Sequence, residues 1–111
     1  MVTDNENWII EEGDVIIRKE VPFGIESLSD WEKLVYCLWT ADYSLRNAGD
    51  LQVAKDLYVH WQTEGLRAAS KIGLSLTVKL FSLSATDLQR QYFDLFEEVC
   101  TEIRGAKPRV T

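Results

Sequence analysis

The sequence predicts a mainly α protein, a small helical bundle of four to five helices, with an N-terminal segment that carries the pattern of a β-hairpin. Three observations predict this class. Apolar residues recur at helical spacing through most of residues 28–105. Two serine-led capping sequences, Ser29-Asp30-Trp31-Glu32 and Ser84-Ala85-Thr86-Asp87, mark helix starts, and Gly49, Gly73 and Gly105 fall where the periodic stretches stop. With 111 residues, 46% of them hydrophobic, the chain can build one ordinary core and is read as a single domain. Within it lie an acidic N-terminal segment (1–26), a helical body (28–105) and a tail (106–111) expected to fray.

The N-terminal stretch "NWIIEEGDVIIRKEVPFG" has β-branched runs at Trp8–Ile10 and Val15–Val21 around a turn-like Glu11-Glu12-Gly13-Asp14. A two-stranded hairpin alone is marginal in water, so it would have to rest on the helical body, and residues 8–21 stay open between strand and helix. A helix is expected from about Asp30. Trp31, Leu34, Val35, Leu38, Trp39 and Leu45 form its apolar stripe, and Tyr36 and Tyr43 widen the arc, which marks it as the central helix. Asn47 and Gly49 supply a C-cap, and Asp50 an N-cap for a second helix with Leu51, Ala54, Leu57, Tyr58 and Trp61 on its apolar side. Gly65 is expected to break or bend the chain before "LRAASKIG", a short helix closed by Gly73. Residues 74–81 alternate like a strand at Leu74, Leu76, Val78 and Leu80 yet also suit a buried helix, which is preferred. Ser84 then opens a last helix with Leu88, Tyr92, Phe93, Leu95, Phe96, Val99, Cys100 and Ile103 on one side, ending at Gly105.

Charge narrows the function. Eighteen acids against twelve bases give a net charge of −6, which argues against direct nucleic acid binding because phosphate contacts need a basic surface. The excess is N-terminal: residues 1–30 hold eight acids and two bases, residues 31–80 five and six. No apolar run approaches the roughly 20 residues that cross a bilayer, and "MVTDNENW" is acidic where a signal peptide is basic. The expectation is a cytoplasmic protein without membrane contact. Cys37 and Cys100 form no CxxC motif and have one histidine, His60, for company, so no metal site is expected and the thiols read as reduced and buried. No cofactor motif and no catalytic constellation is present; His60 belongs to no nucleophile pattern, and the four tryptophans fall on core faces.

Two features depart from plain bundle design. Asp42 lies near the centre of the apolar stripe of the central helix, at about 100° per residue. A carboxylate there must be paired, either with Arg46 one turn on or with amides of the Asn47–Asp50 corner, unless it serves a pocket beside Trp39 or Tyr43. The last helix carries Asp87, Asp94, Glu97, Glu98 and Glu102 opposite its apolar side, with Asp94, Glu98 and Glu102 along one ridge. Like charges so spaced weaken a helix slightly, so the ridge reads either as a solvated face or as a surface for a basic partner. Its carboxylates, about 6 Å apart, only loosely echo the phosphates of duplex DNA, one charge per roughly 1.7 Å.

The run "LSDWEKLVYCLWTADYSLRNAGDLQVAKDLY", followed by "GLRAASKIGLSLTVKLFSL", resembles the acidic bacterial family named for the DNA-mimic protein of Neisseria. The likeness covers residues 28–83. Asn47 and Gly49 match the family's Asn- and Gly-rich corner, where Arg46 and Ala48 replace its other Asn and Gly; Ile72-Gly73-Leu74 stands for its Ile-Gly-Ala. The resemblance implies a mainly helical, dimeric protein and, for the founding member, binding to a helix-turn-helix regulator in place of DNA. The combined expectation is a non-catalytic protein-binding domain, with an acidic DNA mimic as its sharpest form, a basic protein as partner, and a homodimer as one assembly. The ridge residues Asp94, Glu97, Glu98 and Glu102 would carry the contact. Two alternatives stand beside it: a small-molecule or enzymatic pocket around Asp42, Arg46, Asn47, Gly49 and Asp50, and an immunity or anti-defence inhibitor of a basic effector.

Overall fold

The structure, a computed structural model, describes residues 3–108. The first two residues of the acidic terminus and the last three of the tail expected to fray lie outside the described residues. Six α-helices follow one another: α1 (Asp4–Phe23), α2 (Asp30–Ala48), α3 (Gln52–Leu57), α4 (Trp61–Ile72), α5 (Ser75–Phe81) and α6 (Ala85–Gly105), with a 3-10 turn at Ile25–Ser27. There is no strand among the described residues. Helix α2 forms the centre, with α1, α3, α4 and α6 packed around it and α5 wedged between α4 and α6.

The N-terminal hairpin is not formed; residues 8–21 lie within α1, which accounts for the sixth helix. Trp8, Ile9, Gly13, Ile16 and Ile17 fall on one helical face, and Ile9 and Ile16 are fully buried. Burying that stripe against α2 outweighs the modest helix penalty of β-branched side chains. Gly13, which reads as a turn residue, lies inside the helix, and the Trp39 ring occupies the space a Cβ would take, so glycine serves the close approach of α1 to α2 and not a turn. The start of α1 is tied along α6: Thr3 and Asn5 donate to Glu97, Arg104 pairs with Asp4, and Lys107 with Glu12.

The chain does not break at Gly65. The interruption comes earlier, at Tyr58, whose extended backbone carries its ring to Tyr36 at 5.7 Å, and α4 then runs straight through Gly65, where the Phe81 ring packs against the bare backbone. Residues 74–81 adopt the helical alternative, residues 75–81 forming α5; Leu74, Thr77, Leu80 and Phe81 are buried at helical spacing while Leu76 stays exposed, so burial does not follow the alternation. The capping box forms, with Ser29 Oγ accepting the Glu32 amide and Glu32 accepting that of Ser29. Ser84 likewise caps α6 through the Asp87 amide. The core joins Ile9, Leu34, Leu38, Phe81, Tyr92 and Ile103, all nearly inaccessible to water. No described helix is long and apolar enough to cross a membrane.

Candidate functional site

Asp42 is buried at 3% exposure, and its partner is Arg46 rather than the corner amides. Arg46 Nε donates to both carboxylate oxygens, at 2.9 and 3.1 Å, and the Tyr92 hydroxyl from α6 donates to Oδ1 at 2.8 Å. Arg46 Nη1 reaches on to Glu6 of α1 at 3.1 Å, and its guanidinium lies 4.9 Å from the ring centroids of both Phe93 and Phe96. One polar chain thus ties α1, α2 and α6. Sequence spacing found Asp42 and Arg46; Tyr92 stood among the apolar-side residues of the last helix, and Glu6 was not singled out. Phe93, expected in the core, is instead half exposed under Arg46.

Burial dominates at Asp42 and Tyr92, and direct contacts at Arg46 and Glu6. It raises the Asp42 pKa, with the Tyr92 and Arg46 hydrogen bonds pulling the other way. Burial also opposes the Arg46 charge, but the Asp42 hydrogen bond and the Asp42 and Glu6 charges outweigh it and leave the pKa raised. Tyr92 is pushed well up, by burial first and then by the Asp42 charge. Glu6 is held low, chiefly by the Thr3 amide and then by Arg46.

The corner is held from inside. Gly49 ends α2 at φ 76°, where a side chain is strained, and returns its amide to the Leu45 carbonyl. Asn47 stays helical and donates to the Tyr43 carbonyl. Asp50 is not the N-cap expected of it: Leu51 holds that position in α3 without a side-chain cap, and Asp50, one residue earlier, accepts the Gln52 amide at 3.0 Å. The residue that sequence reasoning missed is Ser44: fully buried, it donates to the Asp50 carbonyl at 2.6 Å and accepts the Ala54 amide at 3.0 Å. A serine amid an apolar stripe was the available signal.

Between α1 and α2 lies a cleft of about 480 Å³. Ile10, Ile17, Trp39 and Tyr43 wall it, Glu11 and Asp14 stand at its rim, and Asp42, Arg46 and Asn47 line it as well. Trp39 and Tyr43 stack with centroids 5.4 Å apart, and Tyr36 stacks on the other side of Trp39 at 6.2 Å. The cleft and the corner share Asn47 and Arg46, whereas Gly49 and Asp50 lie outside the cleft lining.

The ridge on α6 is divided. Asp94 and Glu98 are exposed. Glu97 is bonded to Thr3 and Asn5. Glu102 does not project into solvent alone: it accepts the Leu76 and Thr77 amides at 3.1 and 2.8 Å and the Thr77 hydroxyl at 2.8 Å, thereby capping α5. Glu102→Ala should therefore destabilise the protein by about 1–2 kcal/mol, the usual worth of a cap, whereas Asp94→Ala and Glu98→Ala should stay within about 0.5 kcal/mol. Urea midpoints for the three variants check this; equal midpoints would reduce Glu102 to a surface acid.

Cys37 and Cys100 are free and buried, and burial pushes the Cys100 thiol up to about 12. His60 is exposed and meets the edge of Tyr58 at 5.9 Å. Among the described residues no group of three His, Cys, Asp or Glu could hold a metal ion. Fold and site together define a small, mainly helical protein with a Tyr-Asp-Arg-Glu chain, buried at Tyr92 and Asp42, beside an aromatic, acid-rimmed cleft. The chain matches no family model, no curated protein and no solved structure.

Proposed function

We propose that the protein is a non-catalytic protein-binding domain whose partner presents a basic surface. One observation supports it above the others. Asp42, the carboxylate placed for pocket chemistry, is engaged inside the fold, whereas Glu11 on α1 and Asp94 and Glu98 on α6 are exposed and meet no basic side chain among the described residues. Asp42 has both oxygens occupied by Arg46 and Tyr92, which removes support from an enzymatic pocket at the corner. Exposed, unpaired acids act through long-range attraction, which favours encounter with a basic partner and weakens as salt screens it.

DNA mimicry is the sharpest form of this reading; it rests on the motif resemblance of residues 28–83, with no family match beside it. The engagement of Glu97 and Glu102 shortens the charge row on which such mimicry would rest. An inhibitor of a basic effector is another form of the same reading. The test is capture from the source cell on the immobilised full chain, followed by mass spectrometry. A basic protein should be retained at low salt, released as ionic strength rises, and retained less by the Asp94→Lys/Glu98→Lys variant. Retained proteins indifferent both to salt and to the charge reversal, or a metabolite in place of any protein, would overturn the proposal.

A further inference from the structure

We infer that the α1–α2 cleft is the docking groove for a cationic amphipathic helix presented by the partner, a step that rests on the protein-binding reading above. The cleft offers the two features such a helix requires. Its walls are apolar and left open to water: Ile10 is 55% and Tyr43 44% exposed, and Ile17 and Trp39 are only partly buried. The stacked Trp39 and Tyr43 rings, 5.4 Å apart and one turn of α2 from each other, offer an aromatic surface on the length scale at which a helix presents anchors at i and i+3 or i+4.

The charge on the rim selects the sign of the occupant. Three carboxylates, Glu11, Asp14 and Asp42, line the cleft against one guanidinium, and Arg46 is already turned to Asp42 and Glu6. Glu11 has no ion-pair partner among the described residues, and Asp14 meets only the exposed Arg18 on its own helix, a contact readily exchanged. Basic residues flanking the apolar anchors of an incoming helix find both carboxylates at the rim. A second copy of this chain would instead set acids against acids, in a molecule already at −6. An uncharged ligand would leave the rim unused.

The experiment uses the full chain labelled with 5-fluorotryptophan, its Trp39 resonance assigned by Trp39→Phe. The probe is a synthetic helical peptide with one leucine face and one lysine face, and the control a scrambled peptide of the same composition. The expected result is saturable one-to-one binding of the probe that moves Trp39 ahead of Trp8, Trp31 and Trp61. Affinity should fall about tenfold or more, the loss typical of a central anchor, in Tyr43→Ala and in Ile10→Glu/Glu11→Lys, while Asp94→Lys/Glu98→Lys leaves it unchanged. Circular dichroism and melting should confirm that these variants of exposed residues keep the fold. Equal binding of the scrambled peptide, an unmoved Trp39, or wild-type affinity in the cleft variants overturns the inference. So does concentration-dependent dimerisation abolished by Tyr43→Ala, which would make the cleft a self-contact. A captured basic protein that depends on Asp94 and Glu98 but not on the cleft would leave the protein-binding reading standing and remove only the groove.

Discussion

Asp42→Ala is expected to cost about 2–4 kcal/mol of folding stability, because it orphans a buried hydroxyl and loosens a guanidinium at once. Tyr92 is completely buried, and its hydroxyl donates to Asp42 alone among the described partners. Leaving such a donor unmet costs about 1–3 kcal/mol. Arg46 keeps Glu6 and its place near two rings, so its share of the loss is smaller, and the desolvation of the ionised carboxylate is recovered. Asp42→Asn should be milder, since the amide oxygen still accepts from Tyr92. Chemical denaturation at neutral pH measures both, and an alanine variant within about 0.5 kcal/mol of wild type, the range of an inert surface change, would sink the account of the polar chain.

The same chain predicts a pH signature. Because the Asp42 pKa is raised in the fold, its contribution favours the folded state at low pH and is lost as pH rises through the raised value. Glu6 is held low by the Thr3 amide, Asp30 by Arg67 and Lys71, and Glu64 by Arg67; Glu32 is also lowered, the Lys19 and Ser29 contacts outweighing its burial. Those four work in the opposite sense: their stability is present above the ordinary carboxylate range and disappears on acidification. Wild-type stability should therefore fall in acid, and the deficit of Asp42→Asn relative to wild type should grow as the pH drops. A deficit constant across the acid range would mean that Asp42 titrates as it does in the unfolded chain.

Much of the helical body was legible because its signals are local. The Ser29 capping box, the Gly49 C-cap and the apolar stripe of α2 each depend on residues within a turn or two of one another. Asp42 stood out for the same reason, as a charge at a helical position reserved for apolar groups. What could not be read is long-range. Tyr92 is fifty residues from Asp42, Glu102 reaches Thr77 across twenty-five, and Ser44 meets Ala54 only after the corner has turned. A helical face of acids looks uniform in sequence, yet whether a carboxylate faces solvent or the start of another helix depends on where that helix packs. The α1 segment failed for a different reason: β-branched residues around a Glu-Gly-Asp triplet satisfy a hairpin pattern, while the partner that makes them helical, the Trp39 face of α2, lies elsewhere in the chain.

That partner makes Gly13 the sharper test of the fold. In an unconstrained helix interior, Gly13→Ala would stabilise by about 1 kcal/mol through backbone entropy and propensity. Here the added Cβ would overlap Cδ1 of Trp39 and lie 2.8 and 3.2 Å from its Cγ and Cβ. These atoms sit at the root of the side chain, so turning the ring does not clear them, and α1 must move off α2. Ile9 and Ile16 then lose part of their burial, each worth about 1.5–3 kcal/mol when complete. The expected net effect is a destabilisation of about 1–3 kcal/mol, the range of overpacked cores, with faster hydrogen exchange in α1 than in α2 or α4. The sign decides the matter: an alanine variant more stable than wild type, with α1 exchange unchanged, would mean that propensity prevails at this position and that α1 rests on α2 too loosely to form a cleft wall.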